Sequence, residues 1–465
     1  MTAPALVWFR DDLRLADHPA LVAAARSGRP VIAAYVFDDE TERPLGGAAR
    51  WWLAGSLEAL AADLAALGVP LVLRRGRADK AVRALVRESG AATVHWNRRY
   101  RQAAAALDDA LAATLGRGGI AVEVHAGDLL FEPAAIRSGS GAPYRVFAPF
   151  WRACLAASPP APPLPRPRRI AASSDYPTSE RLGDWQLRPS APDWAAGLRA
   201  TWTPGEHAAR RRLQRFVRHA LADYALRRDF PAKAVTSGLS PHLRWGEVSP
   251  RQIWHAVHAE DGRSGAAFLR ELGWREFAAH ALWHVPNLAT TPLRPEFAHF
   301  RWRRDVRALR AWQRGRTGYP LVDAGMRELW ATGAMHNRVR MAAASFLVKH
   351  LLLPWQAGEA WFWDTLVDAD PASNAMNWQW VAGCGIDAAP YFRIFNPVLQ
   401  GRKFDPEGEY VRRWVPELRK LSVRDVHAPW LASTPSASGY PPPIVEHAAA
   451  RRRALAALSR SRQKR

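Results

Sequence analysis

Five short apolar runs recur through the first 130 residues, at 5–9, 31–37, 69–73, 92–96 and 120–124, separated by stretches such as 50–67 and 103–115 that are rich in Ala and Leu. Runs of this length read as buried strands, and the intervening segments carry helical spacing. Strand and helix in strict alternation predict an α/β fold with a doubly wound, Rossmann-like parallel sheet. No G-x-G-x-x-G follows the first run and no G-x-x-x-x-G-K-[ST] occurs, which argues against an ordinary nicotinamide or P-loop site.

The rhythm then stops. SPPAPPLPRPRR at 158–169 is too dense in proline for a helix interior, and with its Ser/Pro/Gly surroundings it reads as a connector. From 206 the apolar period becomes helical: Leu213, Phe216, Val217, Ala220, Leu221 and Tyr224 form one stripe, and similar patterns cover 247–260, 264–284, 305–314, 320–332, 336–353 and 356–367. The expected organisation is an α/β domain over 1–130, a linker over 131–205, an all-helical domain over 206–430, and a Pro-rich coil with a basic tail over 431–465.

Composition narrows the function. With 465 residues, 48% hydrophobic and 23% charged, the chain is globular and long enough for several domains. There is no apolar run of about 18 residues, so no membrane span is expected, and the two acids in the opening MTAPALVWFRDDLRL suit neither a signal peptide nor secretion. Two cysteines, Cys154 and Cys384, exclude a disulfide scaffold and a Cys-rich zinc site and suit a reducing, cytoplasmic setting. The net charge of +22 favours polyanions, nucleic acid first, although a solvated basic surface would have the same composition. Tryptophan is in excess, with 22 residues, and suits stacking on bases or on a flat cofactor as well as core packing.

Several segments carry candidate chemistry. His255 and His258 share a helix face, but two histidines alone rarely hold a metal, and no metal is expected. HNRVRM at 336–341 opens a helix that puts Asn337, Arg338 and Met341 within one arc of about 100°. By itself this reads as a surface Arg and a core Met; a lining for a flat polar ligand is the alternative. Asp368 and Asp370 precede a proline-led segment and suit a turn, a helix cap or an Asp–Arg pair. KAVTSGLSPHLRWGEVSP (233–250) offers hydroxyls and backbone N–H groups of the kind that bind phosphate, or that merely cap a helix.

Taken together, WFRDDLRLADHPAL, TSGLSP, ELGWREF, TGYPLVDAGMREL, MHNRVRM, ASFLVK, NWQW and DAAPYFRIFNPVLQGRKFDPEGEYVRRWVPEL resemble the DNA photolyase/cryptochrome family, in family order over about residues 5–430. The resemblance implies an α/β antenna domain, a long linker and a helical domain that buries FAD. It assigns cofactor contacts to Tyr224, Thr236, Ser237, Gly238, Leu239, Ser240, Arg275, Arg340, Asp368, Asp370 and Asn374, the last facing flavin N5. A neutral amide there has no proton to hand over readily and so favours the reduced flavin. Trp378, Trp355 and Trp302 match the family's electron-transfer chain, running from the flavin to the surface.

The same resemblance lines a substrate pocket with Glu271, Trp274, Asn337, Arg338, Met341 and Trp380, and puts Arg228 and Gln400 at the DNA interface. Glu271, Asn337 and Met341 together match the enzymes for cyclobutane pyrimidine dimers rather than those for (6-4) lesions. The implied activity is light-driven repair, an electron passing from excited reduced FAD to a dimer flipped out of UV-damaged DNA. A cryptochrome-like photoreceptor or a (6-4) enzyme is the alternative. A second antenna chromophore is implied, methenyltetrahydrofolate first, with deazaflavin or flavin behind it; RWWLAGSL (50–57) resembles a branch in which the folate sits differently. The chain is expected to act as a monomer.

Overall fold

The computed structural model describes residues 2–260, 262–388, 392–432 and 439–462. Strands β1 (Ala5–Phe9), β2 (Val31–Phe37), β3 (Leu71–Arg75), β4 (Thr93–Asn97) and β5 (Ala121–His125) alternate with α1 (Pro19–Arg26), α2 (Gly47–Ala65), α3 (Ala78–Ser89) and α4 (Gln102–Arg117). All four strand pairings are parallel and the order is β3-β2-β1-β4-β5. This is the doubly wound sheet that the alternation predicts. β1 and β2 are buried along their whole length, because helices cover both faces of a parallel sheet. The run at 120–124 departs from its reading as a buried strand: β5 has a neighbour on one side only, and its residues are largely exposed.

Chain order reverses between β1 and β4, where such sheets open a crevice for ligands. Here polar side chains fill it. Asn97 Nδ2 donates to Asp12 Oδ2 at 2.8 Å, and His18 Nε2 stands 3.1 Å from the same oxygen. Arg10 pairs with Asp108 at 3.2 Å.

The connector is more ordered than its composition suggests. It contains α5 (Phe147–Ala156) and α6 (Ala196–Thr201). Ala172 makes a parallel bridge to Val31, and the Trp185 ring stacks on Phe37 at 5.5 Å. Then come α7 (Glu206–His219), α8 (Leu221–Arg227), α9 (Ser240–Arg244), α10 (Pro250–His258) and α11 (Arg263–His284). The stripe expected as one helix breaks at Ala220, whose φ of −125° leaves the helical region.

Two compact units result. The first runs through Tyr144 and adds Ala148–Ala222 and Ser237–Pro286; the second holds Arg145–Phe147, Asp223–Thr236 and the chain from Asn287 onward. The linker and α7, α9, α10 and α11 thus cluster with the sheet, whereas the sequence reading set a boundary at 206. The reason is local packing: Gly55 of α2 lies against Pro204, and the ring of Trp151 lies against Gly273 of α11, close enough that a Cβ at either glycine would overlap its neighbour.

The second unit is helical: α12 (Val306–Gln313), α13 (Pro320–Thr332), α14 (Asn337–Ser345), α15 (Trp355–Thr365), α16 (Pro371–Ala382), α17 (Pro397–Phe404), α18 (Glu409–Trp414) and α19 (His447–Arg462). The pattern at 336–353 is helical through His350, although α14 passes at Ser345 into a wider, π-helical turn at Phe346–His350. The expected basic tail is a helix over most of its length, as its Ala, Leu and Arg content favours. Ala450 and Ala454 are fully buried, and Arg453 donates to the His350 carbonyl. Of the expected coil and tail, residues 433–438 and 463–465 lie outside the described residues. Among the described residues no helix is long and apolar enough to cross a membrane.

Candidate functional site

In the second unit the start of α14 organises the site. His336 caps the helix: its Nδ1 accepts from Arg338 N at 3.2 Å, and its Nε2 donates to the Arg228 carbonyl at 2.9 Å. Burial holds this imidazole down to about 4, so it is neutral at pH 7 and keeps both roles. Arg338 Nη2 meets Asp229 at 2.8 Å, while the Arg228 guanidinium lies 5.2 Å over the ring of buried Tyr224. Asn337 Nδ2 and Arg338 Nη1 both approach Met341 Sδ, at 4.0 and 3.9 Å. The helical arc drawn from sequence is real: an amide, a guanidinium and a thioether share one face, with Asn337 exposed and Val339 buried on the other side. Arg338 also lies 5.0 Å over Phe404, one turn beyond half-buried Gln400 on α17.

One turn further along α14, Arg340 Nη2 meets both oxygens of Asp368, at 2.9 and 3.2 Å. This is the Asp–Arg pair that the sequence allowed. Asp370 caps α16 through Ala372 N and Ser373 N, at 3.1 and 2.6 Å. Asn374, buried on the first turn of α16, sends its amide nitrogen to Glu359, 2.8 Å to Oε1 and 3.0 Å to the carbonyl oxygen. Glu359 is the residue that sequence reasoning missed. Two acids inside WQAGEAWFWDTL, Glu359 and Asp364, give no motif, and only the burial of Glu359 beside Asn374 marks it.

The three expected tryptophans run from core to surface. Trp378 is 2% exposed, Trp355 is 1% exposed, and Trp302 is half-buried. Trp378 packs on Phe362 at 5.0 Å and on Trp312 at 6.2 Å. Gly358 lies one turn from Trp355 on α15 and faces the Trp378 ring so closely that a Cβ would stand 2.1 Å from it. Arg303 N donates to the Leu352 carbonyl at 2.7 Å, which ties the loop of Trp302 to the segment leading into Trp355. Trp380 Nε1 donates to the Asp387 carbonyl at 3.0 Å. Thr236 is exposed.

In the first unit, Ser237–Ser240 form the turn into α9. Gly238 has φ of +62°, and a Cβ there would stand 2.4 Å from Arg212 Nη1. Leu239 N donates to Ser237 Oγ at 3.3 Å. A glycine turn against a guanidinium suits an anion. Glu271 and Trp274 are half-buried on α11. Arg275 follows them, but its Nη1 is engaged by the Asp128 carbonyl at 2.9 Å and Glu276 at 3.2 Å. Burial pushes Asp128 and Glu276 up to about 7. His255 accounts for itself by bonding the Pro160 carbonyl at 2.9 Å.

Comparison with known proteins decides the family. Residues 5–168 match the family described as DNA photolyase, and residues 268–460 match the FAD binding domain of DNA photolyase. The chain belongs to the DNA photolyase family. It is 50% identical to a deoxyribodipyrimidine photo-lyase of Agrobacterium fabrum, over 98% of both chains. The crystal structure of a bacterial class III photolyase from Agrobacterium tumefaciens superposes with a TM-score of 0.97 at 50% identity, covering 100% of this chain and 98% of that one. Cryptochrome-1 of Arabidopsis thaliana is 39% identical over 98% of this chain and 70% of its own length.

For a photolyase-family chain the donor set fits FAD. The Asp368–Arg340 pair and the Asn374 amide offer acceptors and donors suited to the polar edge of an isoalloxazine. Arg212 against the glycine turn offers a cation suited to phosphate.

Proposed function

We propose that this chain repairs cyclobutane pyrimidine dimers in UV-damaged DNA, using light and FAD. The observation that carries the reading is its full-length likeness to deoxyribodipyrimidine photo-lyases. When bound, the flavin supplies light absorption and the electron that opens the dimer.

The chain's own residues do the rest. Tyr224, Arg340, Asp368, Asp370 and Asn374 hold the flavin in the second unit, where Thr236 belongs to the same set. Ser237, Gly238, Leu239 and Ser240 serve it in the first, where Arg275 is the one member already engaged by other partners. The Asn374 amide, oriented by Glu359, has no acidic proton to give. Trp378, Trp355 and Trp302 relay an electron inward, and the partial exposure of Trp302, against the burial of the other two, suits it as the outer member. Asn337 and Met341 meet the bases, with Arg338 fixed by Asp229; Trp380 supplies an indole face. Glu271 hydrogen-bonds a base edge and Trp274 offers its ring. Arg228 and Gln400 touch the DNA backbone. The antenna is proposed as a folate, with deazaflavin or flavin as the other results of acid extraction and chromatography. The protein is proposed to act as a cytoplasmic monomer.

The test is an oligonucleotide carrying one thymine cyclobutane dimer, incubated with the photoreduced protein in blue light and in darkness. Restored thymines in light alone are the expected result. Bound, reduced flavin without restoration would overturn the reading. A parallel (6-4) substrate separates the lesion classes, and a lack of repair on both would favour light sensing. Replacing Glu271 and Met341 together should cut repair and leave FAD bound; unaffected repair removes both from the pocket.

A further inference from the structure

His95 on β4 and Glu123 and His125 on β5 stand on one face of the sheet. The parallel register pairs His95 with Glu123 and Asn97 with His125, which brings the three side chains together across the strands. His95 Nδ1 lies 3.4 Å from Glu123 Oε2, and His125 Nε2 lies 3.7 Å from the same oxygen. All three ligand atoms fall within 4.8 Å of one another. Tetrahedral zinc with ligands at about 2.0–2.1 Å sets its donors roughly 3.3–3.5 Å apart, so small side-chain rotations suffice.

Two further observations point to a ligand. His95 is 1% exposed, yet its Nδ1 has no hydrogen-bond partner, and neither has His125 Nε2. Buried ring nitrogens of this kind are costly to leave unsatisfied. The other nitrogen of His95 is accounted for: Nε2 lies 3.1 Å from Thr93 Oγ1 on the same strand. With Nε2 donating to that hydroxyl, the Nδ1 lone pair would face Glu123, which is how a partner behind a ligating histidine orients it. Glu123 is 51% exposed, so the cluster is open to solvent.

We propose that His95, Glu123 and His125 form a binding site for a divalent transition cation, zinc first. Two imidazoles and a carboxylate suit zinc better than magnesium or calcium, which require oxygen ligands. The bound ion would clamp β5 to β4, fastening an edge strand that buries little of its own surface. Nothing in the flavin chemistry calls for it, so the site stands or falls apart from the repair reading.

The test uses tag-free, FAD-loaded protein stripped with chelator, titrated with Zn²⁺ and read by calorimetry and by metal content after desalting. One zinc per chain is expected, with Glu123→Gln and His125→Gln each weakening binding by about tenfold or more, and Thr93→Val by about tenfold. Excess Mg²⁺ should not compete. Zinc should also slow amide exchange across Ala121–His125. These two variants leave buried His95 in place, and an unchanged far-UV circular dichroism spectrum verifies that they fold. No stoichiometric uptake by the wild type, or equal uptake by both variants, would overturn the proposal.

Discussion

Asn374 lies 2.8 Å from Glu359 in a buried setting, so an aspartate in its place would set two carboxyl groups against each other. They cannot both ionise at that distance, and one would keep its proton well above the usual carboxylate range. A folded pKa raised above the unfolded value gives stability that is present at low pH and lost as pH rises through the folded pKa. Asn374→Asp should therefore show a thermal midpoint that falls from pH 5 to pH 8 relative to the wild type. Parallel midpoints across that range would mean that Glu359 does not face position 374. Trp378 makes a second case at this scale. Replacing it with Phe keeps an aromatic ring against Gly358 but removes the indole, so light-driven flavin reduction should stop while chemically reduced protein still repairs. An unchanged photoreduction rate would remove Trp378 from the relay.

Between elements, a single buried carboxylate joins pieces that the sequence separates. Glu247 Oε1 accepts from Trp52 Nε1 of α2 at 3.1 Å and from Gly205 N, just before α7, at 2.6 Å. Ser56 donates to the same oxygen, and His242 of α9 meets Oε2. Glu247→Ala would strand these partners in a dry interior, at a cost of about 3–5 kcal/mol. Urea unfolding should show it, and a loss below about 1 kcal/mol would mean that the network is not closed. Nothing at position 247 announces this in the sequence, and the limit is general. Strands β1 and β2 were legible to the residue because runs such as VIAAYVF are short, apolar and bounded. The Asn337–Arg338–Met341 face was legible because helical spacing is local. The partners Glu359, Asp229 and Thr93, the cluster at His95, and the packing of the connector on the sheet all depend on register or on contacts between distant segments, which no local period encodes. The burial of Ala450 and Ala454 in α19 depends likewise on contacts that the composition of a basic tail does not show.

Across the whole chain, the excess of 22 positive charges and the family's acidic substrate make two separable contributions to binding. Contacts to phosphate release counterions, so affinity for undamaged duplex should fall steeply as salt rises, with a log–log slope of about −0.9 per phosphate neutralised. The preference for a damaged site has another origin in the proposed pocket. Asn337 and Met341 are neutral, and Arg338 is already neutralised by Asp229, so the groups that meet the lesion add little counterion release. Affinities for a dimer-containing duplex and for its undamaged counterpart should thus fall together, and their ratio should stay nearly constant between 50 and 200 mM salt, a span over which six to ten phosphate contacts cost roughly 10³–10⁵ in affinity. Fluorescence anisotropy on the two duplexes measures both slopes. A ratio that collapses with salt would show that discrimination is electrostatic, carried by free cations at the lesion, and the neutral face of α14 would then lose its place as the surface that reads the dimer.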